Sequence, residues 1–155
     1  MHLSTKGRYA VMALVDLANR EAVAPGRRPV TLAEIAASQQ LSLSYLEQLF
    51  GKLRRAGLVA SARGPGGGYR LARPAQAVQI AEIVAAVDEE IRTTRCFAGG
   101  KGCMPDASRC QTHELWAELG QQIQLFLGGI SLADVIGRRV TGRAVPLESR
   151  PIAAE

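Results

Sequence analysis

The chain has 155 residues, 47% hydrophobic but only 5% aromatic, which suits one domain of ordinary size whose core is Leu, Ile, Val and Ala and leans helical. Its charge of +5 is uneven: residues 1–75 hold eleven Lys/Arg against four Asp/Glu (+7) and residues 76–155 hold eight against ten (−2), so the first half either meets a polyanion or is a solvated basic surface. No apolar run approaches the ~18 residues of a membrane span, "AVMALV" stops at Asp16, too early for a signal-peptide core, and an odd count of three cysteines argues against a closed disulfide framework; a cytoplasmic protein with no membrane partner is expected.

"STKGRYAVMALVDLANR" opens with Ser4 as a cap, and Tyr9, Met12, Ala13 and Leu17 recur at helical spacing. "EAVAPGRRPV" breaks the pattern with two prolines and a glycine and reads as a loop. "TLAEIAASQQ" begins with Thr31 and has Glu34 three residues on, the signature of a capping box. "LSLSYLEQLFGKLRRAGL" follows almost at once, with Ser42 or Ser44 as cap and Leu46, Leu49, Phe50 and Leu53 on one stripe. Two short helices joined by a tight turn, the second longer and polar opposite its stripe, describe a helix-turn-helix, whose second helix enters the DNA major groove.

"LVASARGPGGGYRLAR" adds two strand-like pieces, Leu58–Ala62 and Tyr69–Leu71, around the turn "RGPGGG". A β-hairpin behind a helix-turn-helix makes a winged helix. No Gly-Lys-Ser/Thr follows the glycines and no helix begins there, so a nucleotide phosphate loop is set aside. Arg63 at the hairpin tip is placed to reach a narrow minor groove.

In the second half, "VQIAEIVAAVDEE" is a short amphipathic helix. "THELWAELGQQIQLFLGG" puts Leu115, Trp116, Leu119, Ile123, Phe126 and Leu127 at spacings of three and four, stopped by Gly128 and Gly129. "SLADVIGRR" is one more short helix with Ser131 as cap and Asp134 as first-turn acid. The fold class is mainly α with a small β-hairpin wing: a winged helix-turn-helix over 1–75, a cysteine loop and dimerisation helices over 76–139, and a tail without period, read as disordered, over 140–155.

Between those helices lies "CFAGGKGCMPDASRCQTH", which holds every cysteine, Cys96, Cys103 and Cys110, and His113 three residues after the last. Four soft or borderline ligands suit zinc or iron in a cluster. The spacing matches neither the close Cys pairs of structural zinc sites nor a plant-type ferredoxin, so it permits a metal without choosing one. Three unrelated thiols are the bland alternative, and Asp106 and Glu114 are weaker candidates for the fourth ligand.

The run "LSLSYLEQLFGKLRRAGLVASARGPGGGYRL", the opening "STKGRYAVMALVDLA", and "VDEEIRTTRC" with "CQTHELW" resemble the IscR family of iron–sulfur-cluster-binding winged-helix transcriptional regulators, over residues 1–137. The resemblance implies a homodimer on a palindromic double-stranded DNA operator. It also implies a [2Fe-2S] cluster on Cys96, Cys103, Cys110 and His113, delivered by the iron–sulfur cluster assembly machinery. Each cysteine gap is one residue longer here than in the best-known member. Ser44, Glu47 and Gln48, with Arg63 and Gly64, would contact DNA; Tyr45, Arg54 and Arg55 complete the expected DNA-facing set, the arginines as phosphate contacts. The function implied is a regulator, a repressor among its readings, that senses cluster, iron or redox status and controls iron–sulfur cluster biogenesis genes.

The long apolar helix should pair with its twin, and the cluster loop directly before it should then set the spacing of the two wings. A histidine among the ligands makes such a site more labile, since protonation can release it. Glu47 repels phosphates but can accept from a cytosine N4 amine, which makes it a discriminator; the plainer reading pairs it with Arg54 or Arg55. Two other functions stand beside this one: the same fold with cysteines that bind zinc or sense oxidants as thiols, and a small iron–sulfur electron carrier, for which the basic half has no use. No catalytic constellation is visible, so an enzyme is not expected.

Overall fold

The computed structural model describes residues 5–23, 26, 28–87 and 108–141, with 102, 104 and 106 singly. The readings for Ser4, for residues 88–90 of the second-half helix, for Cys96 and Cys103, and for the tail from 142 lie outside the described residues.

Helix α1 (Thr5–Val23) buries Ala10, Ala13, Leu14, Leu17 and Ala18, the three-and-four spacing seen in its sequence. It runs to Val23, three residues past the stretch that carried the periodicity. Helix α2 (Leu32–Gln39) starts at the expected capping box: Thr31 Oγ1 accepts from the Glu34 N–H, and a Glu34 carboxylate oxygen accepts from the Thr31 N–H at 2.9 Å. It ends at Gln40, a non-glycine residue in left-handed conformation (φ 53°), and the Leu41 N–H reaches back to the Ala36 carbonyl at 3.1 Å. Helix α3 (Leu43–Arg55) begins two residues later with Ser42 as its cap, the hydroxyl accepting from the Tyr45 N–H. Of the two serines considered for that role, Ser42 holds it.

Strands β1 (Val59–Ala62) and β2 (Gly68–Leu71) pair antiparallel with Val59 opposite Leu71 and Ala62 opposite Gly68. A short 3-10 turn over Ala75–Ala77 leads to helix α4 (Ile80–Val87), which packs Ile83, Val84 and Val87 against α1 and α3. A Cβ at buried Gly7 of α1 would stand 3.3 Å from a Val84 methyl, so the bare glycine is what lets the two helices lie this close. Helix α5 (His113–Gly128) is followed by α6 (Leu132–Ile136), whose start is tied back to α4: the Ile80 N–H donates to Ile130 O at 2.9 Å and the Leu132 N–H to Val78 O at 2.8 Å. Ser131 and Asp134 form a second full capping box at that junction. One core, with Phe50, Leu14, Leu17, Ile35, Leu46, Leu49, Leu53 and Leu58 among its largest buried side chains, thus continues past residue 75 through Val78, Ile83, Val87 and Leu132.

The Thr31 N–H and hydroxyl, and then Arg28, hold the Glu34 carboxyl at about 2, below its ordinary 4.5. The folded state favours the carboxylate, so this stabilisation is complete above about pH 4.5 and fades as pH falls towards about 2. Glu34→Gln should therefore lower the midpoint of thermal unfolding at neutral pH, with the gap to wild type closing across that window. Thr31→Ala should cost about 1 kcal/mol. Calorimetry from pH 7 to 2 checks both; a gap that stays constant with pH would show that the carboxylate charge is not what holds the cap.

Candidate nucleic-acid interface and metal loop

Helix α3 has two faces that do different work. Leu46, Leu49, Phe50 and Leu53 are at most 2% exposed and face α1 and α2. On the other side Ser44, Glu47, Gln48, Arg54 and Arg55 stand exposed. Gly51, three and four residues on from Gln48 and Glu47, has nothing within 4 Å of where a Cβ would sit, leaving a low point on that face. The sequence reading passed over Gly51, although its spacing from Glu47 was available. Among the described residues Glu47 makes no ion pair. The plainer pairing with Arg54 does not form, because Arg54 turns to Ser61 Oγ of β1 at 3.4 Å. Tyr45 is half-buried, its ring edge-on to Tyr9 with centroids 6.0 Å apart, so most of it supports the helix from behind.

The wing is clamped at its base and bare at its tip. Val30, on the connection from α1 to α2, exchanges two hydrogen bonds with Tyr69 at 3.0 and 2.7 Å, adding a bridge beside β2. Tyr69 packs its ring edge-on against Phe50 at 4.9 Å, and the Leu71 N–H donates to Glu21 of α1 at 3.1 Å. A Cβ at Gly68 would lie 2.5 Å from the Val30 carbonyl oxygen, so only glycine lets β2 pass this connection. At the tip Gly64 takes φ +92°, which L-residues rarely adopt, and its carbonyl accepts from the Gly67 N–H. Arg63 beside it is exposed.

Behind the wing a cavity of about 280 Å³ is lined by Asp16, Arg20, Arg28, Glu34 and Arg70 among others. Its charges close on one another: Arg20 pairs with Asp16 at 3.1 Å and Arg28 with Glu34 at 2.9 Å. Ser38 donates to the same Asp16. This is a bracing network between α1 and α2.

Two of the four expected metal ligands fall in the described residues, and they are adjacent in space. The His113 N–H donates to the Cys110 carbonyl at 3.0 Å, a tight turn that becomes the first turn of α5. Cys110 carries an unbridged thiol, half-buried, with its sulfur 3.6 Å from Thr112 Oγ1. The fallback ligands are otherwise engaged. Asp106 accepts from the Ser108 hydroxyl at 2.7 Å and N–H at 3.0 Å, which holds its carboxyl below the usual range. Glu114 pairs with Arg109 at 3.1 Å. Among the described residues no group of three or more His, Cys, Asp or Glu gathers, as Cys96 and Cys103 lie outside them. Cys110 and His113, one backbone turn apart, supply a thiol and an imidazole whose donor chemistry fits a soft-metal or iron–sulfur site.

Helix α5 buries only Gly120, while Leu115, Trp116, Leu125 and Phe126 are 42–62% exposed. No helix among the described residues is long and apolar enough to cross a membrane.

A helix-turn-helix with a clamped hairpin wing defines a winged-helix DNA-binding protein. The comparisons agree: the model of the Rrf2 family, "Iron-dependent Transcriptional regulator", matches residues 3–138, and the chain belongs to that family. It is 51% identical over 150 residues to a putative HTH-type transcriptional regulator, ORF2, of Azotobacter vinelandii, covering 97% of this chain and 88% of that one. It is 50% identical over 136 residues to the HTH-type transcriptional regulator IscR of Vibrio cholerae, covering 88% and 75%. The solved structure of T. potens IscR superposes with a TM-score of 0.68 at 33% identity, covering 94% of this chain and 93% of that one. The protein is thus an IscR-like DNA-binding transcriptional regulator and not an enzyme.

Gly68→Ala should push β2 off Val30 at a cost of about 1–3 kcal/mol. Hydrogen exchange should quicken at the Val30 and Tyr69 amides while α2 and α3 keep their protection. Unchanged exchange at those two amides would mean the wing is not seated by this close approach.

Proposed function

We propose that the chain works as a homodimer on palindromic operators, carries a [2Fe-2S] cluster on Cys96, Cys103, Cys110 and His113, and uses cluster status to regulate iron–sulfur cluster biogenesis genes. The observation that carries this reading is the Cys110–His113 turn at the root of a helix whose apolar face is uncovered. Leu115, Trp116, Leu125 and Phe126 are what a second copy of α5 would cover, since exposed apolar side chains repeating along one helix mark an association surface. His113 is the first residue of α5, so holding Cys110 and His113 together fixes the direction in which α5 leaves the loop. Fixing α5 in each protomer fixes the distance between the two α3 helices, and with it the half-site spacing the dimer accepts. When bound, the cluster supplies an iron- and oxidant-sensitive link between these ligands, and the assembly machinery is its donor.

On DNA, α3 offers Ser44, Glu47 and Gln48 to base edges, and Arg55 to phosphates. Glu47, with no cation paired to it among the described residues, is favourable only where a cytosine amine meets it. Arg63 and Gly64 take the wing to the minor groove.

Arg63→Ala should weaken binding to the specific operator by about 1–3 kcal/mol with little change on random DNA. Arg55→Ala should weaken both alike and lower the salt dependence. Fluorescence anisotropy against both DNAs at several salt concentrations reads this; an equal loss on both for Arg63→Ala reduces that residue to a phosphate contact.

Cys96→Ala, Cys103→Ala and Cys110→Ala should each abolish iron and acid-labile sulfide in protein purified without oxygen, while sedimentation still reports a dimer. Wild-type protein should be red-brown with visible bands. A colourless protein with stoichiometric zinc would replace the cluster reading with the zinc one, and a monomer in every state would remove the α5 pairing.

A further inference from the structure

Lys52 sits on the C-terminal half of α3 among cations, and its position in the sequence reads as one more phosphate contact. Its side chain does something else. The Lys52 ammonium donates to the Val87 carbonyl at 3.0 Å, and Val87 is the last described residue of α4. An ammonium that donates to a carbonyl makes a charge-assisted bond, stronger than one between neutral groups. The acceptor is held in place. Ile83, Val84 and Val87 are at most 2% exposed, locked between α1 and α3. Lys52 itself is half-buried, between the apolar stripe and the open face of α3. Its neighbours are used differently: Arg54 stays with Ser61 of the hairpin, and Arg55 is exposed. Among the described residues, Lys52 is the one of these three cations bonded to an element outside the winged hairpin and helix-turn-helix.

We infer that Lys52 is a positioning residue: it does not bind DNA phosphate but pins the recognition helix to α4 at Val87 and so sets the angle at which Glu47 and Gln48 meet the bases. The chain runs from Val87 directly into the segment that carries Cys96. The Lys52–Val87 bond is therefore a direct polar link between the readout helix and the start of that segment. A change in the cysteine segment that shifts α4 at Val87 is felt at α3 through this link; that consequence rests on the cluster reading above, whereas the positioning role does not.

The test compares Lys52→Met, which keeps the apolar stem and loses the donor, with Lys52→Arg, which keeps a donor. Lys52→Met should cut the ratio of specific-operator to random-DNA affinity by about five- to tenfold, within the range of coupling between linked sites. The slope of log affinity against log salt on random DNA should not change, and Lys52→Arg should restore the ratio. Lys52→Gln serves as a second variant if the methionine protein does not fold. A phosphate contact predicts the opposite: equal loss on both DNAs and a slope smaller by about one. That result, or no change on either DNA, overturns the proposal. In a second arm the operator affinities of cluster-loaded and Cys110→Ala protein are compared with and without Lys52→Met, with iron and sulfide measured alongside. The difference between the two states should shrink in the Lys52→Met protein. Absence of iron and sulfide in wild type would sink the cluster reading and leave the first arm to decide Lys52; iron present with an undiminished difference would sink the relay.

Discussion

Burial of the stripe Leu46, Leu49, Phe50 and Leu53 is the constraint on which the rest of the molecule depends, because a helix that must hide one side has no choice about which side it shows. Each such side chain contributes about 1.5–3 kcal/mol when taken out of water. Rotating α3 to hide Glu47 or Arg55 would exchange that gain for a buried charge without a partner, which costs more. The face carrying Ser44, Glu47 and Gln48 is thus outward for reasons that have nothing to do with DNA. The side of the helix that folding leaves over is the side open to a partner.

The wing depends on the same stripe at one remove. Phe50 receives the ring of Tyr69, Tyr69 bonds the backbone of Val30, and Val30 introduces the capping box that starts α2. The hairpin is accordingly fixed to the helix-turn-helix through its base, by contacts that need a bare glycine at 68. Its tip, with Arg63 and Gly64, is left clear. A hairpin held at one end and open at the other leaves its tip accessible without giving up its register on the core.

The second half of the chain is attached by its ends. Backbone bonds from Ile80 to Ile130 and from Leu132 to Val78 close the return from α6 onto the start of α4. Helix α5 ends at that closed base, and most of its apolar side chains remain outside the core. One chain thus carries a well-packed winged helix and, among the described residues, an apolar helix face outside the core.

Much was legible in the sequence, because much is local. The capping boxes at Thr31–Glu34 and Ser131–Asp134 need only a spacing of three, and the stripe on α3 needs only the helical period. The turn "RGPGGG" could hardly be anything else. What the sequence left open was which of several possible partners each polar group takes in space. It could not say whether Ser42 or Ser44 caps α3. It could not say that Arg54 would choose Ser61 over Glu47, that Tyr45 would lean on Tyr9, or that Gly68 is required by a carbonyl thirty-eight positions earlier. Lys52 shows the difference most plainly. By its place in the sequence it is one of several cations on α3, and only the packing of α4 beside α3 brings the Val87 carbonyl within its reach. Local periodicity decides which residues form an element and which face is apolar. Tertiary packing decides which polar group each charged side chain can reach, since a hydrogen bond depends on distance in space and not along the chain.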